Sequence, residues 1–280
     1  MERLLGSAEA AVAAALDEDA AARDLTTDLL VPEGLEGRAV VIARSGGVIS
    51  GQIAASLVFR RLGGAEWTVL AADAATVVMG DEVARVEGRM RAILSGERTA
   101  LNFLGRLSGV ATRTAAFVRA VAGTGVRILD TRKTTPGLRL LEKRAVVDGG
   151  GTNHRADLAS QILVKENHIA AAGGIEAAVA ALGGRLAECE IEVRGIDELR
   201  ALVSSPPARV MLDNFDPGEV SAAVAEVTRW TRRPEIEVSG GITLENIGRY
   251  ALPGVDFISV GSLTGAAPAL DLSMLVEEVS

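Results

Sequence analysis

Residues 190–214 hold two short runs, Glu190-Ile191-Glu192-Val193 and Val210-Met211-Leu212-Asp213-Asn214, with the helix-compatible stretch Asp197–Val203 between them. Similar β-rich runs recur at Val126–Leu129, Ile162–Val164, Ile236–Val238 and Phe257–Val260. From the second onward they are separated by roughly 20–28 residues, with helical stretches such as Ile175–Leu182 and Pro217–Thr228 in between. This alternation is the rhythm of a parallel sheet or barrel. Six or so units in about 150 residues fit an incomplete or compact (β/α) barrel better than an open doubly wound sheet. No G-x-G-x-x-G follows any of these strands, which weakens a dinucleotide-binding reading.

Upstream the texture differs. The first 30 or so residues read as a helix followed by a turn-rich Asp24-Leu25-Thr26-Thr27-Asp28. Arg38–Ala43, Trp67–Leu70 and Val83–Val86 read as short strands, with a helix over Gln52–Leu62. Met79–Val83 resembles the hairpin turn of lipoyl carriers but has no lysine for the prosthetic group, so it is plain β-structure. From Ser95 a helical pattern runs to about Ala122, with Leu101, Leu104, Leu107 and Val110 at helical spacing and Ser95 or Gly96 as its cap.

Composition narrows the function classes. The chain has 280 residues, 48% of them hydrophobic, and a net charge of −8, so it can bury a sizeable core. No basic block of five or six residues occurs, which argues against nucleic-acid binding. The longest candidate membrane or signal segment, Ala10–Leu16, is too short to span a bilayer and lacks a basic lead and a cleavage pattern. A single cysteine, Cys189, excludes an intrachain disulfide and a cysteine zinc site and favours a reducing cytoplasm. Against 26 arginines there are three lysines, Lys133, Lys143 and Lys165, and two histidines, His154 and His168; all five fall within residues 133–168.

The strand ends carry the chemistry. The first runs into Asp130-Thr131-Arg132-Lys133 and the next into Lys165-Glu166-Asn167-His168; then come Glu192, Asp213-Asn214, Ser239-Gly240-Gly241 and Gly261-Ser262. Taken singly, each is an ordinary turn residue or helix cap. Taken together they would converge on the C-terminal mouth of a barrel, where barrel active sites lie. The glycine turns suit a phosphate, Glu192 and Asp213 suit ribose hydroxyls or a hydrated magnesium ion, and Arg132, Lys133, His154, Arg155 and Lys165 suit a small multiply anionic ligand. Anion, sugar and phosphate in that order describe a phosphoribosyl transfer.

At these residues the chain resembles the quinolinate phosphoribosyltransferase family. The resemblance runs from Asp24-Leu25-Thr26-Thr27 and Gly96–Asn102 through Asp130–Gly137, Gly149–Arg155, Leu163–His168, Glu190–Val193, Leu212–Phe215 and Glu237–Gly241. The D-T-R-K-T-x-P-G and G-G-G-x-N-H-R strings are the most specific. The resemblance implies an α/β protein with an N-terminal α/β sandwich, residues 1–105 joined by 266–280, and an incomplete (β/α) barrel, residues 106–265. It implies transfer of phosphoribosyl from phosphoribosyl pyrophosphate to quinolinate, with magnesium and with decarboxylation, to give nicotinate mononucleotide, pyrophosphate and carbon dioxide on the de novo route to NAD. It also implies a cytoplasmic homodimer, open to further assembly as a hexamer, with neither nucleic-acid nor membrane partners.

Carried over by motif, Arg132, His154, Arg155 and Lys165 would hold the quinolinate carboxylates, with Arg98 reaching in from the partner subunit and Thr131 in the same substrate-binding set. Lys133, Glu192 and Asp213 would be catalytic, on the ribose, pyrophosphate and metal side, the two carboxylates meeting magnesium directly or through water. The Ser239, Gly240, Gly241 turn and the Val260, Gly261, Ser262 turn would take the 5′-phosphate. Two departures, Arg194-Gly195 for an acidic or small polar pair and Ala156-Asp157 for an apolar residue and glycine, touch fine specificity. The rival readings are a related phosphoribosyltransferase of the molybdate-transport-associated subfamily, a Schiff-base lyase using Lys165, and a non-catalytic phosphoribosyl-ligand sensor.

Overall fold

The computed structural model describes residues 2–280. Contacts group the chain into two compact units: residues up to Ala115 with Lys133–Gly150 and Leu263–Ser280, and Ala116–Arg132 with Gly151–Ser262. The division expected between residues 105 and 106 falls inside one continuous helix, Met90–Ala120.

In the first unit, the helix Glu2–Glu18 buries Ala8, Val12 and Leu16, four residues apart on one stripe. The Asp24–Asp28 segment, expected as a turn, begins a short helix, Leu25–Leu30, instead. Asp24 is its N-cap, accepting from the Thr27 backbone N–H at 3.0 Å and the Thr27 hydroxyl at 2.6 Å. An Asp-x-x-Thr pattern serves a cap as readily as a turn. Strands β1 (Glu36–Ala43), β2 (Gly47–Val48), β3 (Ala65–Val69), β4 (Thr76–Val77) and β5 (Glu82–Arg89) follow, with the helix Gln52–Leu62 after β2. That helix packs on Glu2–Glu18 and on β3, where Phe59 stacks on Trp67 with ring centroids 5.5 Å apart.

β5 passes directly into the helix Met90–Ala120, which therefore starts five residues before the expected Ser95. Ser95 and Gly96 are not its caps. Ser95 donates its hydroxyl to Asp24 Oδ2 at 3.0 Å, and Gly96 lies under the Phe59 ring, where a Cβ would come within 2.7 Å. Both identities that looked like a helix start are thus packing choices inside it.

The second unit contains β6 (Arg127–Leu129), β7 (Leu163–Val164), β8 (Glu190–Val193), β9 (Arg209–Asp213), β10 (Glu235–Ser239) and β11 (Phe257–Ser259). They form one parallel sheet in the order β6-β11-β10-β9-β8-β7. Among the described residues the edge strands β6 and β7 do not pair, which leaves the barrel incomplete there; Thr152 adds a parallel bridge to Leu129. The last strand, β12 (Leu272–Val279), returns to the first unit and completes an antiparallel sheet in the order β12-β1-β5-β3.

Register explains the barrel's sequence texture. Ile191, Val193, Val210, Leu212, Ile236, Val238 and Ile258 share one buried apolar face. Because alternate residues face opposite ways, the other face carries Glu190 and Glu192, Arg209 and Asp213, Glu235, Glu237 and Ser239, and Ser259. The first face is apolar throughout, while the second mixes these groups with buried Met211 and Phe257.

Candidate active site

β6 leads into Asp130, Thr131 and Arg132. Fully buried Asp130 accepts the His154 backbone N–H at 2.8 Å, and Thr152 donates its N–H to Ile128 at 2.8 Å while accepting from Asp130 at 3.2 Å. These bonds fold Gly151–Arg155 back along the end of β6, so Arg132 and Arg155 arrive on the same side. The two guanidiniums feel one another: burial first, and then the charge of Arg132, push Arg155 below the usual arginine range. Arg155 Nη1 donates to the Gln161 carbonyl at 3.2 Å.

His154 turns its polar atoms inward. Its Nδ1 accepts the Arg155 backbone N–H at 2.7 Å, and its Nε2 lies 3.0 Å from Glu190 Oε2 and 3.7 Å from Glu237 Oε2. Gln161 Nε2 reaches the same Glu190 oxygen at 3.3 Å. Glu190 therefore meets residues on both sides of the segment that carries Arg155.

Lys165 follows β7 and donates its ammonium to Glu192 Oε2 at 2.7 Å. Burial raises the Glu192 carboxyl, as does its hydrogen bond with Glu166, and the Lys165 ammonium opposes the rise; Glu166 is correspondingly lowered. Asp213 adds to the rise in Glu192, so three carboxylates share one neighbourhood. Hard oxygen donors of this kind could hold magnesium. Among the described residues the one group of three whose ligand atoms all lie within 4.8 Å of one another is His154, Glu190 and Glu237, and it already has a cation beside it, since Arg209 Nη1 lies 3.2 Å from Glu237. His168 proves to be a helix cap: its Nδ1 accepts the Lys165 backbone N–H at 3.0 Å at the start of the helix Glu166–Ala172.

The ends of β9 and β10 interlock. Asn214 has a left-handed backbone, φ 59°, donates its N–H to the Ser239 carbonyl at 2.8 Å, and its side chain donates to Asp213 Oδ2 at 2.8 Å. A Cβ on Gly240 would overlap the Asn214 amide, and Gly240 also has φ +101°, so this turn demands glycine. Asn246 closes the far side, donating to the Gly241 carbonyl at 2.9 Å and accepting from the Thr243 N–H at 2.8 Å. Val260, Gly261 and Ser262 follow β11, and Val260 donates to the Leu129 carbonyl at 3.0 Å.

The second unit thus brings together Thr131, Arg132, His154, Arg155, Lys165, Glu192, Asp213, Ser239, Gly240, Gly241, Val260, Gly261 and Ser262 at its strand ends. Arg98 and Lys133 belong to the first unit, and both are exposed. Arg98 is the ninth residue of its helix, not at its start, so the helix dipole gives it no anion-binding role. Glu190 and Glu237 were not anticipated. Their one sequence signal is the polar alternation of Glu190-Ile191-Glu192 and Glu235-Ile236-Glu237 inside runs that otherwise read as apolar.

A family model described as the quinolinate phosphoribosyl transferase C-terminal domain matches residues 110–275, and one described as the N-terminal domain matches residues 24–108. The chain is 40% identical over 258 residues to the nicotinate-nucleotide pyrophosphorylase (carboxylating) of Mycobacterium leprae, covering 90% of each chain. It is 38% identical over 242 residues to the Homo sapiens protein of that name, covering 85% of this chain and 81% of that one. The solved nicotinate-nucleotide pyrophosphorylase of Francisella tularensis superposes with a TM-score of 0.88 at 37% identity, over 98% of this chain and 97% of that one.

Proposed function

The chain belongs to the quinolinate phosphoribosyltransferase family, and from that premise we propose how its own residues divide the work. The reaction transfers phosphoribosyl from phosphoribosyl pyrophosphate to quinolinate with loss of carbon dioxide, giving nicotinate mononucleotide for NAD biosynthesis. The observation that carries the division of labour is the cluster of cations Arg132, Arg155 and Lys165, with Lys165 paired to Glu192, whose neighbour is Asp213.

The guanidiniums of Arg132 and Arg155 suit the two carboxylates of quinolinate, and the charge repulsion between them is relieved when a dianion enters. Bound there, the ring nitrogen is oriented towards the anomeric carbon of the donor. The N–C1 bond forms as the C1–O bond to pyrophosphate breaks and pyrophosphate leaves. The cationic ring then accepts the electron pair of the breaking C–CO2 bond, and a proton from solvent replaces carbon dioxide. Glu192 and Asp213 lie where a developing ribosyl cation is stabilised by negative charge. Glu192 and Asp213, with Glu166 beside them, would hold magnesium, directly or through water, and the ion would neutralise charge on the pyrophosphate. The glycine turns at Gly240 and Gly261 offer backbone N–H groups to the 5′-phosphate. Lys133 serves the pyrophosphate side. His154 holds Arg155 in place through its Nδ1 contact and lends no nitrogen to the ligand.

For the assembly, we propose a homodimer in which Arg98 acts in the partner's site. Supporting it are the exposure of Arg98 and an exposed apolar stripe of Leu25, Leu29 and Leu30, more than three-quarters bare to solvent. Among the described residues no single helix is long and apolar enough to cross a membrane. One buried cysteine, Cys189, fits a cytoplasmic setting. No observation favours the rival activities: Lys165, the candidate Schiff-base lysine, is ion-paired to Glu192 instead of lying in an apolar pocket that would free its amine. The deciding assay incubates the protein with quinolinate, phosphoribosyl pyrophosphate and magnesium and follows nicotinate mononucleotide and carbon dioxide. Failure to form both would overturn the reading.

A further inference from the structure

We infer that Glu142 and Arg106 are positioning residues for the reaction: together they fix the backbone of Lys133 and Thr135, from which the Lys133 ammonium meets the phosphoribosyl donor. This rests on the assignment of Lys133 to the donor side.

Glu142 lies in the helix Arg139–Asp148 and is fully buried. Its Oε2 accepts the Thr135 backbone N–H at 3.0 Å, and its Oε1 accepts the Thr135 hydroxyl at 2.7 Å. Oε1 also accepts from Arg106 Nη2 at 2.8 Å and Nε at 3.1 Å. Arg106, on the helix Met90–Ala120, donates onward from Nη1 to the Ala267 carbonyl at 3.0 Å and from Nη2 to the Thr264 carbonyl. Buried Thr264 completes the circuit by donating its hydroxyl to the Lys133 carbonyl at 2.7 Å. Thr134 is held separately by Arg139 Nε at 2.9 Å.

Three consecutive residues are therefore tied, two of them through a single ion pair whose carboxylate is fully buried and whose guanidinium is about a quarter exposed. Burying the carboxylate costs desolvation that offsets much of the attraction, so the pair adds little net stability. Here both carboxylate oxygens of Glu142 bond to an exposed loop, Lys133–Gly137, which has little burial of its own to hold it. Geometry is what the arrangement supplies. A lysine whose ammonium must meet a pyrophosphate within hydrogen-bond reach needs its Cα placed, since four rotatable bonds already leave the head group mobile.

The test compares Glu142→Gln, Thr264→Val, Lys133→Ala and the double variant Lys133→Ala/Glu142→Gln. Steady-state kinetics are measured with each substrate varied, and quinolinate binding is measured by calorimetry. Gln keeps the size of Glu142 but presents an amide to one of its donors; Val keeps the shape of Thr264 and deletes a single bond to Lys133, so it serves where the first variant folds poorly. The expected result is at least a tenfold fall in kcat/KM for phosphoribosyl pyrophosphate in both single variants, with quinolinate affinity within about twofold of normal. The double variant should be no worse than Lys133→Ala, because the second change acts through a side chain already gone. Unchanged donor kinetics in Glu142→Gln and Thr264→Val, or losses that multiply in the double variant, would overturn the inference. An unaltered Lys133→Ala enzyme would instead remove the premise, a distinct result read from a different protein.

Discussion

Arg209 Nη1 lies 3.2 Å from Glu237 Oε2, yet Glu237 stays a weak acid: burial, and then the neighbouring Glu190 carboxylate, raise it from its ordinary 4.5 to about 8. His154, Ser259 and Arg209 pull the other way and do not win. Arg209 lies within reach of both Glu190 and Glu237, and the rise favours a proton on Glu237 at neutral pH.

Stability should therefore depend on pH in a set direction. The folded chain binds this proton more tightly than the unfolded chain, so the stabilisation is complete below about pH 4.5 and is lost as pH rises through about 8. Thermal melts at pH 6 and pH 9 should show a lower Tm at pH 9 by more than ~3 °C. Glu237→Gln, which stays neutral, should flatten that difference. A variant with the same pH slope as the parent would contradict the assignment.

Substrate choice should follow the arginine pair. Nicotinate lacks one of the two carboxylates that Arg132 and Arg155 are proposed to meet, and an unmade charged contact costs about 1.5–3 kcal/mol. Quinolinate should be preferred in kcat/KM by at least ~10-fold. Comparable turnover of both acids would mean that the guanidiniums do not read the second carboxylate.

Arg155→Ala and Glu192→Ala should separate binding from chemistry. The first should weaken quinolinate binding by roughly 10–100-fold, since it deletes a charged donor. The second should leave that affinity nearly intact and depress kcat by ~10²-fold or more, if Glu192 acts on the ribose and metal side as proposed. Calorimetry paired with steady-state rates decides it, and two variants with one shared phenotype would refute the division.

Mixing Arg98→Ala with Lys165→Ala protein tests the shared site. If Arg98 serves the partner, each mixed dimer holds one intact site of two, half the dimers are mixed, and activity should return to about a quarter of normal. Activity that stays at background, with subunit exchange shown independently, would place Arg98 in its own chain's site or in none.

The barrel was legible because its apolar face is nearly continuous: Val210–Leu212 and Ile236–Val238 announce strands whatever their neighbours do. The helix start at Met90 was not, because β5 enters it without a turn, and Ser95 and Gly96, which have the chemistry of caps, are spent on Asp24 and Phe59. The site residues at strand ends were readable from their types. Glu142, Glu190 and Glu237 were not, since a buried acid in a helix or strand looks in sequence like any solvated one, and only partners brought from far along the chain reveal its use.

The antiparallel pairing of β12 with β1, in which Gly37 meets Val279, also dictates an order of assembly during synthesis. When residue 262 has emerged from a ribosome, every barrel strand is present, whereas the first sheet still lacks its outer strand and leaves the β1 edge open. The part of the chain made first is thus the part finished last. Its closure waits for residues separated by the whole barrel, a long-range contact of the kind that slows folding and leaves an unpaired edge exposed to other nascent chains.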